Sequence, residues 1–226
     1  FFFFKMCRNI YFRDVLEIKN FDSNSPMDPN FCKVRIEKDM LRERFSDIFF
    51  SEEDTEKLRK LTVKQQDAEG GERAPAIKSL LHKLRPDNMP GMFKQLMRLL
   101  KEAYPEPKLK YLGITEGWCD EFIEVMLNIP DLRLKVIQCL RDVRSIVASR
   151  NKGKNLKEMG YSGKYPLLFI LRHWRKTVAY SLKSRENRNY LTIQYEEFVS
   201  EPETVLQNIC NFLSLDMCQD MLDPSK

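Results

Sequence analysis

The sequence predicts an α/β fold: a parallel sheet flanked by helices in three layers. Three observations carry this. Beyond residue 108, short apolar runs alternate with helical patterns, the order expected of βαβ units. The run Leu134–Leu140 (LKVIQCL) shows little alternation, as a strand buried on both faces would. The chain has 226 residues, 42% hydrophobic and 31% charged, enough to bury a core as one domain spanning 1–226.

The elements follow in order. Residues 1–37 read as irregular. Asp22–Phe31, with Pro26 and Pro29 among Asp, Asn and Ser, is a loop. Residues 38–66 read as helical, with Ser51 and Asp54 as an N-cap pair opening a second helix. Gly70-Gly71 marks a polar loop. Helices are expected over Ala76–Leu84 and over Met92–Ala103, where Leu96, Leu99, Leu100 and Ala103 share a face until Pro105 and Pro107 end the pattern. Lys108–Ile114 is a strand candidate and Asp120–Leu127 a helix. Leu134–Leu140 is a strand, Val143–Asn151 and Leu167–Leu182 are helices, and Tyr190–Gln194 is a strand. Ser200 and Glu203 form a capping box for a last helix whose apolar stripe is Leu206, Ile209, Cys210 and Leu213.

Charge and cysteine content narrow the partners. The net charge of +5 suits anionic ligands but is too small to argue for nucleic acid. None of the six cysteines is spaced as CxxC, so no metal site is expected, and Cys139 and Cys210 read as core residues. No apolar stretch is long enough to span a membrane, and no signal peptide is visible. The chain begins with Phe1 and reads as a trimmed piece, so a membrane anchor would lie upstream.

The chemistry concentrates in Val136–Arg150 (VIQCLRDVRSIVASR). Arg141 stands at the carboxyl end of a buried strand, where α/β sheets bind ligands. The turn Asp142-Val143 feeds a helix whose first N–H groups favour an anion. Ser149, seven residues after Asp142, lies on the same helical face, with its side chain leaning back toward the N-terminus. Guanidinium, hydroxyl and helix N-terminus would together clamp a phosphate. The alternative is a solvated Arg141–Asp142 charge pair with Ser149 a routine helix residue.

The run Arg141-Asp142-Val143-Arg144-Ser145-Ile146-Val147-Ala148-Ser149-Arg150 resembles the sulfotransferases, and within them the Golgi carbohydrate type, whose signature reads close to R-D-P-R-A-V-x-x-S-R. Val143 replaces the usual proline and removes no donor group. The resemblance implies a P-loop-NTPase-like sulfotransferase fold and the donor 3′-phosphoadenosine 5′-phosphosulfate (PAPS), with no metal. It implies that Arg141 and Ser149 hold the donor's 3′-phosphate.

A second run is similar to the family's Y-E-D-L, acidic-Pro and F-L-G-L series. It reads Tyr195-Glu196-Glu197-Phe198, then Glu201-Pro202, then Phe212-Leu213-Ser214-Leu215. It implies that Tyr195 lies near the adenine; the alternative is a half-buried aromatic at a strand end. Glu196 and Glu197 read as capping or bracing groups. A third run, Gly113-Ile114-Thr115-Glu116-Gly117-Trp118, is similar to G-x-K-E-x-x-W. There Thr115 replaces the lysine and Trp118 comes one residue early. Glu116 is either the general base for the acceptor hydroxyl or a surface carboxylate. The resemblance covers roughly residues 108–215.

It implies transfer of sulfate to a hydroxyl, on a carbohydrate, in the Golgi lumen. The family's loop for the 5′-phosphosulfate, close to R-S-G-[ST]-[ST], does not occur in the sequence, and neither does G-x-x-x-x-G-K-[ST]. Either the loop precedes Phe1 or the chain is a degenerate member that binds nucleotide or glycan without catalysis. In both cases the 226-residue chain is expected to be inactive. Against an α/β kinase stands the lack of a lysine-bearing phosphate loop. His82 reads as a surface residue, and the cluster Leu171–Lys176 with His173-Trp174 as a solvated helix face, the alternative being the lining of a sulfated-glycan groove. Lys152, Lys154 and Lys157 would attract an anionic acceptor.

Overall fold

Phe3–Ile10 forms a helix, α1, followed by a π-helical turn at Tyr11–Val15, where the sequence suggested irregular chain. Phe3, Phe4, Met6, Cys7, Ile10, Tyr11 and Phe12 are all buried, and Phe3, Phe4, Cys7 and Ile10 keep a helical spacing against Lys5, Arg8 and Asn9 that was open to reading in the sequence. Its rings pack on later elements, Phe3 stacked 5.5 Å from Phe50 and Phe4 5.5 Å from Phe122. Of the two cations in the helix, Lys5 and Arg8, the second is buried and ion-paired with Glu121.

The computed structural model describes residues 3–17, 45–69, 71–117, 119–150 and 167–223. They fall into two compact units, 1–132 and 133–226. In the first unit, β1 (Phe49–Phe50) pairs antiparallel with β2 (Asp87–Asn88). Helix α2 (Glu52–Glu69) opens with the expected capping pair: the Ser51 hydroxyl accepts the Asp54 N–H at 3.1 Å and donates to the Asp54 carboxylate at 2.8 Å. Helix α3 (Ala74–Leu80) and α4 (Met89–Ala103) follow, and α4 buries the expected face of Leu96, Leu99, Leu100 and Ala103. Helix α5 is short, Ile123–Leu127.

Lys108–Ile114 does not form a strand. Its apolar residues Leu112 and Ile114 pack against Ile77, Leu100 and Ala103. The alternating pattern is thus satisfied by helices rather than by a neighbouring strand.

The second unit holds the parallel strands. β3 (Val136–Leu140) pairs with β4 (Tyr190–Gln194) in a register running from Val136↔Tyr190 to Leu140↔Gln194. Helices α6 (Val143–Arg150) and α7 (Leu167–Ser184) lie between them in the chain, the long crossover that a parallel pair requires. α8 (Tyr195–Ser200) and α9 (Pro202–Leu213) follow β4. Among the described residues the parallel sheet has two strands, narrower than the sheet expected.

Two local expectations are corrected. β3 is not buried on both faces: Val136, Gln138 and Leu140 are half-buried, whereas Ile137 and Cys139 are exposed. In a pleated strand these sets face opposite ways. Only the first set shares the side of Thr192, whose hydroxyl bonds Ser181 of α7 at 2.7 Å. Cys139 is therefore not a core residue, whereas Cys210 is. The Ser200–Glu203 capping box does not form either. Ser200 closes α8, donating its hydroxyl to the Glu197 carbonyl at 3.3 Å, and α9 starts with Pro202 in its first turn. At the other end of α9, Ser214 takes the left-handed conformation (φ 55°) where the resembled pattern carries glycine.

Candidate functional site

The register Leu140↔Gln194 ends both parallel strands together, so the next residues, Arg141 and Tyr195, stand side by side. The Arg141 guanidinium carbon lies 4.4 Å from the centre of the Tyr195 ring. With the ring 36% exposed, such a cation–π contact contributes about 0.5–1 kcal/mol. Arg141 Nε is buried and has no hydrogen-bond partner among the described residues. A buried charged donor without an acceptor is costly. It marks where an acceptor fits.

The backbone of Arg141 is fixed by other elements. The indole Nε1 of Trp174, on α7, donates to the Arg141 carbonyl at 2.9 Å. The Asp142 N–H donates to Glu196 Oε1 at 3.0 Å. Glu196 therefore braces structure, as the sequence suggested for it.

Asp142 turns away from Arg141. Its carboxylate accepts the Arg144 N–H at 2.7 Å and pairs with the Arg144 guanidinium at 2.6 Å. The Arg144 guanidinium and then the Arg144 N–H hold the Asp142 carboxyl down at about 2. Asp142 is thus the N-cap of α6, and two expectations change. It forms no charge pair with Arg141, and at the helix start the chain's own carboxylate already accepts the Arg144 N–H.

Arg141 and Asp142 line a cleft of about 530 Å³ together with Leu140, Thr192, Gln194, Glu196 and one stripe of α7. The stripe is Trp174, Val178, Ser181 and Leu182, at helical spacing, with Arg185 just past the helix end. His173-Trp174 is therefore not simply a solvated face: Trp174 is half-buried in the cleft wall. For Trp174 the sequence left two readings open, groove lining and solvated face, and its place in the cleft wall favours the first. Arg185 was missed, because one charged residue at the end of a helical stripe gives no signal of its own.

The remaining sequence candidates stand as follows. Ser149 is exposed on α6 and does not line the cleft. Seven residues after the cap, it lies roughly 10 Å along the helix axis. Glu116 belongs to the first unit, where its carboxylate accepts the Gly117 N–H at 3.0 Å. His82 is exposed. Trp118, Lys152, Lys154 and Lys157 lie outside the described residues. Among the described residues no cluster of His, Cys, Asp or Glu is fit to hold a metal ion, and no helix is long and apolar enough to cross a membrane.

Fold and site define an α/β protein with an arginine-bearing cleft reaching the carboxyl ends of its parallel strands. Residues 126–220 match the model of the sulfotransferase family. The structure is similar to a solved sulfotransferase domain from the curacin biosynthetic pathway, with TM-score 0.51 and 18% identity. That similarity covers 74% of this chain and 58% of that one, so the chain spans little more than half the length of the domain it resembles. No curated protein matches the sequence. Residues 126–220 thus resemble the sulfotransferase family, and the α/β fold is similar to that of a sulfotransferase domain.

Proposed function

We propose that the cleft at Arg141 holds the 3′-phosphate of PAPS and that the protein, in its full extent, transfers sulfate to a hydroxyl, on a carbohydrate by resemblance to the Golgi type. The observation that carries this reading is the Arg141–Tyr195 pair. It is a guanidinium with an unpartnered buried Nε, stacked on a tyrosine, at the end of the parallel strands. These residues fit the donor's nucleotide end. The guanidinium offers a planar fork to a phosphate, and the half-exposed Tyr195 ring offers an apolar face beside it.

When bound, the donor supplies an activated sulfuryl group that passes to an acceptor oxygen. The chain's own residues bind and orient. Arg141 neutralises the 3′-phosphate, Tyr195 keeps the guanidinium in place, and Asp142 uses its charge on α6 and Arg144 instead of opposing the ligand. Ser149 as a second phosphate contact and Glu116 as the acceptor's base rest on the resemblance alone. Positioning of this kind matters because sulfuryl transfer, like phosphoryl transfer, depends on in-line alignment and on stabilising charge at the transferring group.

Calorimetric titration with adenosine 3′,5′-bisphosphate, on wild type and Arg141→Ala, tests the reading. Binding by wild type and its loss in the variant is the expected result. Equal binding by both refutes it.

A further inference from the structure

We propose that Trp174 and Glu196 are positioning residues for Arg141, holding one peptide unit at both of its polar ends. The proposal rests on the reading of Arg141 as the phosphate contact. The Arg141 carbonyl and the Asp142 N–H belong to the same planar peptide group. The first accepts from the Trp174 indole at 2.9 Å, and the second donates to Glu196 Oε1 at 3.0 Å. Anchoring opposite edges of a plane removes its rotation about the chain axis. The direction in which the Arg141 side chain leaves the strand end is fixed with it.

The two anchors come from separate elements. Trp174 sits on the crossover helix α7 and Glu196 in the first turn of α8. Glu196 directly follows Tyr195, so two adjacent residues grip two adjacent residues: ring on guanidinium, carboxylate on the next N–H. Without these bonds the strand end would be free to turn, and Arg141 would have to be ordered when the ligand binds. Immobilising a long side chain at that moment weakens affinity. The Trp174 bond is the stronger anchor, because it is part-buried, whereas water competes at the exposed Glu196 bond.

The test compares two probes, adenosine 3′,5′-bisphosphate and adenosine 5′-monophosphate, which differ only in the 3′-phosphate. Affinities and Tm are measured for wild type, Arg141→Ala, Trp174→Phe, Glu196→Ala and Glu196→Gln at one ionic strength. Trp174→Phe keeps an aromatic ring and deletes the N–H; Glu196→Gln keeps an acceptor oxygen. The expected result is that Trp174→Phe weakens bisphosphate binding about 2- to 10-fold, the size of one hydrogen bond, with monophosphate binding unchanged and Tm lowered by no more than the loss of that one bond costs. Glu196→Ala weakens bisphosphate binding less, and Glu196→Gln restores it.

A full bisphosphate preference in both Trp174→Phe and Glu196→Ala overturns the positioning role, as does equal weakening toward both probes. If Trp174→Phe fails to fold, the Glu196 pair decides: no loss in Glu196→Ala, or no rescue by glutamine, overturns it. If Arg141→Ala alone removes the preference, the phosphate reading stands and the positioning proposal falls. If wild type shows no preference, both fall.

Discussion

Replacing Arg141 by lysine separates charge from shape. The variant keeps one positive charge at the end of β3 but loses the planar fork and the seat on Tyr195. Two costs follow. Arginine is already ordered in the free protein by its 4.4 Å contact with the ring. A lysine would be ordered only on binding, at about 0.5–1.5 kcal/mol. The fork gives a phosphate two parallel N–H···O bonds, and losing one such bond to a charged group costs about 1.5–3 kcal/mol. Together these amount to about 2–4.5 kcal/mol, a roughly 30- to 2,000-fold loss of affinity at 25 °C. Titration calorimetry with adenosine 3′,5′-bisphosphate at fixed salt reads this directly. A lysine variant binding within threefold of wild type would show that Arg141 acts as a point charge only, and the argument from the stacked fork would be wrong.

Two further outcomes follow from the same unit. The Asp142 carboxyl is held at about 2, below its ordinary 3.8, by Arg144. A lowered folded value means the contribution is complete above about pH 4 and is lost as pH falls toward 2. The Asp142 carboxyl carbon resonance should titrate near pH 2; a midpoint near 4 would remove the cap and pair from the account. Ser214→Gly relieves a left-handed conformation at the end of α9 and should raise stability by about 1 kcal/mol, read as a higher Tm by circular dichroism. An unchanged or lower Tm contradicts that assignment of strain.

Much of the site was legible in the sequence. Arg141 follows a strand and Tyr195 follows another, and both positions are set by local pattern. Their contact was not legible, because it depends on the strand register. The bond from Trp174 to Arg141 was invisible for a similar reason: its partner carbonyl lies 33 residues away. Asp142 was misread because a short acidic side chain before a helix either leaves the N–H groups open or caps them itself, and the sequence is compatible with both. The aromatic start of the chain was misread as irregular although Phe3, Phe4, Cys7 and Ile10 keep a helical spacing, because so short a run at the chain's start was passed over.

By itself, the sequence determined where most helices and both parallel strands run, along with the Ser51–Asp54 cap. Those features arise from interactions within a few residues, so spacing reports them. It also placed an arginine and a tyrosine at strand ends. Only the tertiary structure decided what these residues touch. It stacked Arg141 on Tyr195 and closed the Arg141–Asp142 peptide between Trp174 and Glu196. It also filled the start of α6 with Asp142 and left Ser149 outside the cleft. The physical reason is that these contacts join residues distant in the chain, Asp142 and Glu196 being 54 apart, through a register and a helix crossover that no local pattern encodes.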